Sequence, residues 1–249
     1  MNIGLLQCDH VAERFQHIAG DYPEMIGALL HRHAPEITLQ SFDVCNGEWP
    51  AAPEVCEGYL CTGSRHSVDE DIEWIHQLKN FVRQLDEADK PFVGICFGHQ
   101  MLAEALGGKV AKATQGWGVG VQKIEILQSE NWMKPKQSAL RLQYMHQDQV
   151  VRLPENSVLL GQSDHCPAAM FRVGQTMIGI QAHPEFTAAY CEALLPDRRE
   201  RIGTERVQAA LESLAQTSDE GVVAGWIGAF LNLPQRISHG GHGEGTGEE

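Results

Sequence analysis

The sequence has no long apolar run, no paired-cysteine pattern and few basic residues, and each absence narrows the class of protein. No stretch approaches the roughly 20 apolar residues that a membrane-spanning helix needs. The seven cysteines include no C-x-x-C pair and are odd in number, which argues against a disulfide framework. Lysine and arginine total 19 against 33 acidic residues, so the net charge is −14. We therefore expect a small-molecule substrate, with no membrane and no nucleic acid as partner.

The length and composition fit one domain with a short tail. Hydrophobic residues make up 43% and charged residues 21% of the 249 residues, which is ordinary for a globular protein. We assign residues 1–236 to a single domain and expect the Gly-rich segment 237–249 to be disordered. The opening residues, MNIGLLQCDH, lack the basic and apolar regions of a secretory signal, so the expected location is the cytoplasm.

Strand and helix patterns alternate through the first half of the chain. Short apolar runs of strand length are separated by segments in which apolar residues recur at helical spacing. A capping-box pattern at Ser67 and Glu70 predicts that a helix begins there. The predicted strands are Ile3 to Gln7, Ile37 to Val44, Tyr59 to Cys61 and Phe92 to Ile95. The predicted helices are Tyr22 to Arg32, a helix containing Ile72 to Leu85, and a helix that follows Cys96 and stops at Gly107.

The second half of the chain has a different pattern. Between Val119 and Gln181, short alternating runs and a Val173-Gly174-Gln175 turn predict antiparallel strands. From Thr187 to Leu233 the apolar spacing is helical again. The order of elements therefore predicts a β-α-β beginning followed by a half that is richer in antiparallel strands.

The segment Gly94-Ile95-Cys96-Phe97-Gly98 has the form of a nucleophile elbow, a sharp strand-to-helix turn that exposes one reactive side chain. A thiol at a helix N-terminus is favoured as the attacking thiolate by the helix dipole. The N–H of Phe97 is free to donate to an oxyanion, and Gly63 is the candidate for a second donor. The alternative for Cys96 is a buried packing role, which is the expectation for the other six cysteines.

A cysteine nucleophile needs a base, and His183 follows the strand-like run Met177 to Ala182. Glu185 lies two residues further on, so in an extended segment both side chains point to the same side. The carboxylate of Glu185 could then orient the imidazole toward Cys96. Taken alone, His183 would more often be a surface or satisfied histidine, and only its pairing with the elbow favours catalysis.

Together, G-I-C-F-G-H-Q at 94–100 and H-P-E at 183–185 resemble the class I glutamine amidotransferase family. The resemblance covers nearly the whole chain up to the tail, including C-T-G-S at 61–64, G-W-G-V-G at 116–120 and M-H-Q-D at 145–148. Within that family the chain is most similar to stand-alone relatives of the glutaminase domain of GMP synthase. The implied fold is α/β, with a mainly parallel, flavodoxin-like central sheet, helices on both faces and an antiparallel extension.

The resemblance also implies a mechanism that needs no cofactor. The Cys96 thiolate would attack the side-chain amide of glutamine, His183 would protonate the departing ammonia, and Glu185 would orient His183. Water would then hydrolyse the γ-glutamyl thioester to glutamate. Similarity assigns the oxyanion N–H groups to Gly63 and Phe97. The glutamyl group is implied to be held by Gln100 and by the backbone near Tyr144, Met145 and His146.

Three functions remain open at this point. The first is a glutaminase that passes ammonia to a synthetase or acceptor subunit, and the second is a γ-glutamyl peptidase or hydrolase acting on a small γ-glutamyl compound. The third is a catalytically silent binding protein on the same scaffold. The chain contains neither an S-G-G-x-D-S signature nor a G-x-x-x-x-G-K-[ST] loop, so we do not expect it to complete a GMP synthase reaction alone.

For several other histidines and aromatic residues we weigh structural roles against functional ones. The His31-Arg32-His33 cluster and the tail histidines lack the Cys/His spacing of structural zinc, so we expect no metal site. We expect His99 to face the packing beneath its helix. His146 with Asp148 is either an acid–base pair or a hydrogen-bonded loop brace. For Trp74 and Trp117 we favour core packing over an acceptor pocket.

Overall fold

The computed structural model describes residues 1–233, which form a nine-stranded sheet, a two-stranded sheet and eight α-helices. The strands are β1 Asn2–Gln7, β2 Thr38–Asp43, β3 Gly58–Cys61, β4 Phe92–Ile95, β5 Lys109–Lys112, β6 Gly118–Ile126, β7 Ala139–His146, β8 Asp148–Arg152, β9 Ser157–Gln162, β10 Met170–Val173 and β11 Met177–Ile180. The helices are α1 Glu13–Ala19, α2 Tyr22–His33, α3 Glu73–Glu87, α4 Phe97–Ala105, α5 Ala188–Asp197, α6 Arg199–Ile202, α7 Thr204–Ser213 and α8 Glu220–Leu231.

The large sheet has a parallel part and an antiparallel part. Its strand order is β2-β1-β3-β4-β11-β10-β9-β6-β7. The first five strands pair in parallel, and from β11 onward each neighbouring pair is antiparallel. The α/β fold with an antiparallel extension is therefore confirmed. The small sheet, in which β5 pairs with β8, is an element that the sequence patterns do not indicate.

Helices cover both faces of the parallel part, because its inner strands β1, β3, β4 and β11 are buried on both sides, whereas the edge strand β2 is largely exposed. Along β4, Phe92 belongs to the hydrophobic cluster beneath α3 and α4, which we call the α3/α4 face. Val93 and Ile95 point the other way, into the cluster that includes α2 and α8. This α2/α8 face contains Trp226, which is 1% exposed. The alternation of side chains along each strand thus divides the core between two layers of helices.

A third hydrophobic cluster lies apart from these two faces and joins α1, α5 and α7 to the start of α2. Tyr22, Phe186 and Tyr190 are buried in it, with Phe186 and Tyr190 in an edge-to-face contact at 4.8 Å between ring centroids. The cluster also contains Ile202, so it holds the short helix α6 against the domain.

The predicted start of α3 is wrong. Ser67 and Glu70 form half of the expected contact: the Ser67 N–H donates to Glu70 Oε1 at 2.8 Å, but the Glu70 N–H donates to the Ser67 backbone carbonyl at 3.1 Å instead of to its hydroxyl. The contact closes an isolated turn, since Glu70 Oε2 binds His66 and the chain is extended at Ile72 before the helix begins at Glu73. The sequence patterns also miss α1. The predicted tail, 237–249, lies outside the described residues, and the single domain 1–236 stays a prediction.

None of the helices formed by residues 1–233 combines the length and apolar character required to span a bilayer.

Candidate active site

Three neighbouring strands of the parallel sheet bring the predicted site residues together. β3, β4 and β11 lie side by side, and their carboxyl ends meet at one edge. Gly63 follows β3, Cys96 follows β4 and His183 follows β11. In open α/β sheets this edge is where ligands bind, because the loops after the strands line a crevice there.

Cys96 is held in a strained backbone conformation at the start of α4. Its φ is 50° and its ψ is −97°, in a region that non-glycine residues rarely occupy. The N–H of Cys96 donates to the Ile180 carbonyl at 2.9 Å, which ties the turn to β11. Strain of this kind persists only where surrounding contacts impose it, and it is typical of a nucleophile elbow.

Two glycines make the elbow sterically feasible. A Cβ at Gly94 would lie 2.7 Å from the His99 nitrogen and closer still to the Gly98 carbonyl. A Cβ at Gly98 would lie 2.6 Å from the Cys61 carbonyl oxygen. In addition, the Gly98 N–H donates to the Thr62 carbonyl at 3.2 Å. The first turn of α4 therefore packs directly against the backbone of β3 and β4, which presents the Cys96 side chain at the sheet edge.

His183 and Glu185 form a buried pair beside the elbow. His183 Nδ1 lies 2.7 Å from Glu185 Oε1, and both residues are 3% exposed. The imidazole stacks on Phe186 with 3.9 Å between ring centroids and an interplanar angle of 7°. The backbone N–H of His183 donates to the Gln143 backbone carbonyl at 2.8 Å. Phe186 and Glu185 thus orient the ring, and the imidazole also hydrogen-bonds to Cys96.

The charges at the site favour a protonated imidazole. Burial by itself would lower the pKa of His183, but the negative charges of Cys96 and Glu185 and hydrogen bonds to both outweigh it and raise that pKa to about 10. The arrangement is therefore a cysteine that faces a buried histidine, with a carboxylate behind the histidine.

A glutamine that sequence reasoning missed contacts Cys96. Gln181 Nε2 donates to Cys96 Sγ at 3.6 Å, and the Gln181 side chain is fully buried. Gln100 Nε2 donates both to Gln181 Oε1 at 3.2 Å and to the Asp148 carbonyl at 2.6 Å. Gln100 thus lines the cavity and also forms a hydrogen bond to Gln181. The sequence resemblance does not indicate this second contact.

The two candidate oxyanion donors, Phe97 and Gly63, follow the neighbouring strands β4 and β3. Phe97 is the first residue of α4, where a backbone N–H has no acceptor within the helix. Gly63 lies against the imidazole, since a Cβ placed there would be 2.8 Å from His183 Cε1. Glycine is therefore required at position 63 for the loop after β3 to approach His183.

A cavity of about 160 Å³ opens at Cys96. Three of the residues expected to hold the glutamyl group, Gln100, Met145 and His146, line it. Tyr144 does not lie in its lining; its ring is fully buried and contacts the ring of His146 at 5.3 Å between centroids. Gln100 and the end of β7 thus lie at the cavity, and their role in holding the glutamyl group stays a prediction.

His146 forms a loop brace. Its Nδ1 lies 3.0 Å from the Asp148 backbone carbonyl rather than from the carboxylate. Burial lowers the pKa of His146 to about 3, so the ring is neutral at pH 7 and its Nδ1–H donates to that carbonyl. His99 is also buried and neutral: burial lowers its pKa to about 3, and its ring contacts Phe171 at 4.8 Å between centroids.

Other residues of the cavity have no sequence motif that predicts them. Trp117, for which we favoured core packing, lies at the cavity and is half-buried. Arg201 holds its guanidinium 5.3 Å from the centre of that indole ring. The residues at the cavity that no motif indicates are Arg65, His66, Lys112, Arg198 and Arg201, and Ser67 and Glu70 of the capping-box pattern also line it. They come from three distant segments, so only folding brings them together.

One set of side chains within residues 1–233 has the spacing of metal ligands. The ligand atoms of His10, Asp43 and Cys45 lie within 4.8 Å of one another. The two ring nitrogens of His10 already contact Asp21 at 2.6 Å and Asp43 at 3.1 Å. Burial and hydrogen bonding to Asp43 raise the pKa of Cys45 to about 12, so its thiol is protonated at neutral pH. The set lies outside the lining of the Cys96 cavity.

The fold and the cysteine–histidine–glutamate arrangement define an α/β protein of the amidotransferase class. The family model for glutamine amidotransferase class-I matches residues 62–194, which include every residue of this arrangement. The chain therefore belongs to the class I glutamine amidotransferase family.

Relatives within the family carry more than one activity in their names. Gamma-glutamyl peptidase 4 of Arabidopsis thaliana is 38% identical over 59% of this chain and 61% of its own length. A glutamine-hydrolysing GMP synthase subunit of Pyrococcus abyssi is 35% identical over 46% of this chain and 61% of its own length. The match thus spans about three fifths of the length of these relatives.

The crystal structure of a glutamine amidotransferase from Thermotoga maritima superposes with a TM-score of 0.72 over 92% of this chain and 96% of that one. Its sequence identity to this chain is 20%, so the likeness concerns the fold.

Proposed function

We propose that this protein hydrolyses a γ-glutamyl amide through a thioester on Cys96. The observation that carries the proposal is the strained Cys96 at the start of α4, facing the buried pair of His183 and Glu185. We assign Cys96 as the nucleophile, His183 as the base and Glu185 as the orienting carboxylate, and their proximity supports this assignment.

In the first step the Cys96 thiolate attacks the γ-carbonyl carbon. The negative charge that develops on the carbonyl oxygen is stabilised by the N–H groups of Phe97 and Gly63. As the C–N bond breaks, the His183 imidazolium donates its proton to the leaving amine. The product of this step is a γ-glutamyl thioester and a neutral imidazole.

In the second step water hydrolyses the thioester. Neutral His183 removes a proton from the water as it attacks the same carbonyl carbon, and the Cys96 thiolate leaves. Glu185 keeps the imidazole in one tautomer and stabilises its charge when it is protonated. Glutamate is released and the ion pair is restored.

Two leaving groups fit this scheme, and the names of the relatives support both. With glutamine the leaving group is ammonia, which a separate synthetase or acceptor protein could consume, as the likeness to the Pyrococcus GMP synthase component suggests. With a γ-glutamyl peptide the leaving group is an amino acid or peptide, as the likeness to the γ-glutamyl peptidases suggests. Co-purification with a synthetase would favour the first.

The test is release of glutamate from L-glutamine and from a panel of γ-glutamyl peptides by the purified full chain. Replacing Cys96→Ala should lower turnover by at least about a thousandfold, because the covalent route is lost. Cys191→Ala is the matched control, since it truncates a buried cysteine in the third cluster and should retain activity.

Thermal unfolding of each variant shows whether it is folded. Retention of most of the turnover by folded Cys96→Ala would refute the thioester mechanism. Trapping a glutamyl adduct on Cys96 by mass spectrometry at acid quench would support it directly.

A further inference from the structure

The charge at the Cys96 cavity is opposite to that of the whole molecule. The chain carries 33 acidic and 19 basic residues, but the cavity is lined by four basic residues and two acidic ones. The basic residues are Arg65, Lys112, Arg198 and Arg201, and the acidic ones are Glu70 and Asp148. A local excess of positive charge in an acidic protein indicates an anionic ligand at that place.

Arg65 is already neutralised within the protein. Its Nε and Nη2 donate to Asp9 Oδ1 at 2.9 and 2.6 Å, and its backbone N–H donates to Asp9 Oδ2 at 2.8 Å. Asp9 is 6% exposed, so this pair is a fixed structural contact. The charge of Arg65 is therefore not available to a ligand in the way that an unpaired guanidinium would be.

Arg198 and Arg201 are in a different situation. Within residues 1–233 neither forms an ion pair with a carboxylate, whereas the neighbouring Asp197 pairs with Arg14 at 2.7 Å. The two arginines are three residues apart at α6, a spacing that places side chains on one side of a helix. Both line the Cys96 cavity and also the adjoining cavity beside Tyr22.

Contacts with the rest of the domain hold Arg198 and Arg201 in place. Arg201 stacks on Trp117, which limits the freedom of its guanidinium. The Arg198 N–H donates to the Leu194 carbonyl at 3.2 Å, and Ile202 anchors α6 in the third cluster. Two unpaired guanidinium groups on a packed helix form a recognition site for a carboxylate, which an arginine can bind through two hydrogen bonds.

We propose that Arg198 and Arg201 bind a carboxylate on the leaving group, so that the preferred substrate is a γ-glutamyl amino acid or peptide. This inference rests on the proposed function. In the acylation step the amide C–N bond breaks, the γ-glutamyl group passes to Cys96 Sγ, and His183 protonates the nitrogen of the departing amino acid. Ammonia from glutamine would have no contact with the two arginines.

The experiment compares two substrates that differ in one group, γ-glutamylglycine and γ-glutamylglycinamide. Wild-type protein should cleave the acid with a kcat/KM roughly tenfold to a hundredfold above that of the amide, the range expected for charge-assisted hydrogen bonds. Arg198→Gln and Arg201→Gln should each reduce this preference by lowering kcat/KM for the acid only.

Arg199→Gln is the matched control. It removes the same charge from the same helix, but Arg199 is exposed and lies outside the lining of the cavity. The control should keep the wild-type preference for γ-glutamylglycine. If Arg199→Gln lowers the preference as much as the other two variants, the effect comes from net charge and the proposed site is refuted.

Each remaining outcome separates this inference from the proposed function. Equal, Cys96-dependent cleavage of acid and amide would overturn the carboxylate site and leave the proposed function standing. Equal losses for both substrates in the arginine variants would mean that the arginines contact the glutamyl part instead, which also overturns it.

If neither substrate is cleaved, glutamate release from L-glutamine decides whether the proposed function stands, and binding decides the inference. Titration calorimetry would then measure the affinity of the unreacted protein for γ-glutamylglycine and its amide. Tighter binding of the acid that Arg198→Gln and Arg201→Gln abolish would support the carboxylate site, and equal or absent binding would overturn it.

Discussion

At the residue scale, the chemistry depends on the protonation state of His183. The negative charges around the imidazole raise its pKa above the ordinary value of 6.5 to about 10. A raised pKa means that the protonated form is stabilised by the fold. That stabilisation is fully present below the ordinary pKa and is lost as the pH rises through the raised one.

This protonation predicts an alkaline limit to activity. In the proposed mechanism His183 donates a proton to the leaving amine, so kcat/KM should fall as the pH rises through about 10. Glu185→Gln removes one of the charges that raise the pKa, and its alkaline limb should lie at lower pH. The measurement is the pH profile of kcat/KM for both proteins.

Asp71→Asn serves as the control for this profile. Asp71 is a fully exposed carboxylate that pairs with His76 at 2.8 Å, so its loss should leave the alkaline limb in place. A limb that is the same in wild type and Glu185→Gln would contradict the assigned role of Glu185.

At the element scale, the close packing of α4 on β4 determines whether Cys96 can be presented at all. The glycine at position 94 faces the first turn of α4 without any side chain between them. Gly179 of β11 is also in close contact with α4, since a Cβ there would lie 2.7 Å from His99 Nδ1. Small residues on this side of the strands let the helix approach the sheet.

Gly94→Ala should therefore damage both stability and activity. The added methyl group would collide with backbone atoms at Gly98 and His99, which cannot move away as a flexible side chain could. We expect a loss of about 2–4 kcal/mol in the free energy of unfolding, typical of overpacked cores, together with a large fall in kcat. Chemical denaturation and glutamate release measure the two effects.

Gly27→Ala in α2 is the control for the same substitution. A Cβ at Gly27 meets no atom within 4 Å, and alanine favours a helix interior by about 1 kcal/mol over glycine. This variant should be slightly more stable and fully active. A Gly94→Ala protein as stable and active as Gly27→Ala would show that the elbow tolerates the added atom.

At the scale of the whole molecule, the strands of the parallel sheet contribute to both hydrophobic faces. β4 sends Phe92 to the α3/α4 face and Val93 to the α2/α8 face, so loss of one layer exposes residues of the strands that hold the other. We therefore expect residues 1–236 to unfold as one unit, as a single domain should.

Two truncations, one on each face, test this expectation. Trp226→Ala removes a ring of α8 that contacts Trp132 on the α2/α8 face. Leu78→Ala shortens a buried side chain of α3 on the α3/α4 face. Each should cost about 2–5 kcal/mol and shift one common transition. Unfolding is monitored by far-ultraviolet circular dichroism and tryptophan fluorescence. Two separate transitions in either variant would contradict a single domain.

The local patterns of the chain were sufficient to predict most strands, the elbow at Cys96 and the pairing of His183 with Glu185. Such features depend on residues close together in sequence, where spacing and turn chemistry act directly. The capping-box prediction failed because the same Ser67–Glu70 contact can close a turn as well as begin a helix.

The contacts that complete the site were decided by the tertiary structure. Gln181 reaches Cys96 across 85 positions in the chain, and Arg198 and Arg201 come to the same cavity from a short helix with no motif. No local pattern specifies such contacts, because they exist only once the parallel order of β3, β4 and β11 has placed three loops at one edge of the sheet. The type of chemistry is thus encoded locally, while the surroundings that select a substrate arise from the order in which the strands assemble.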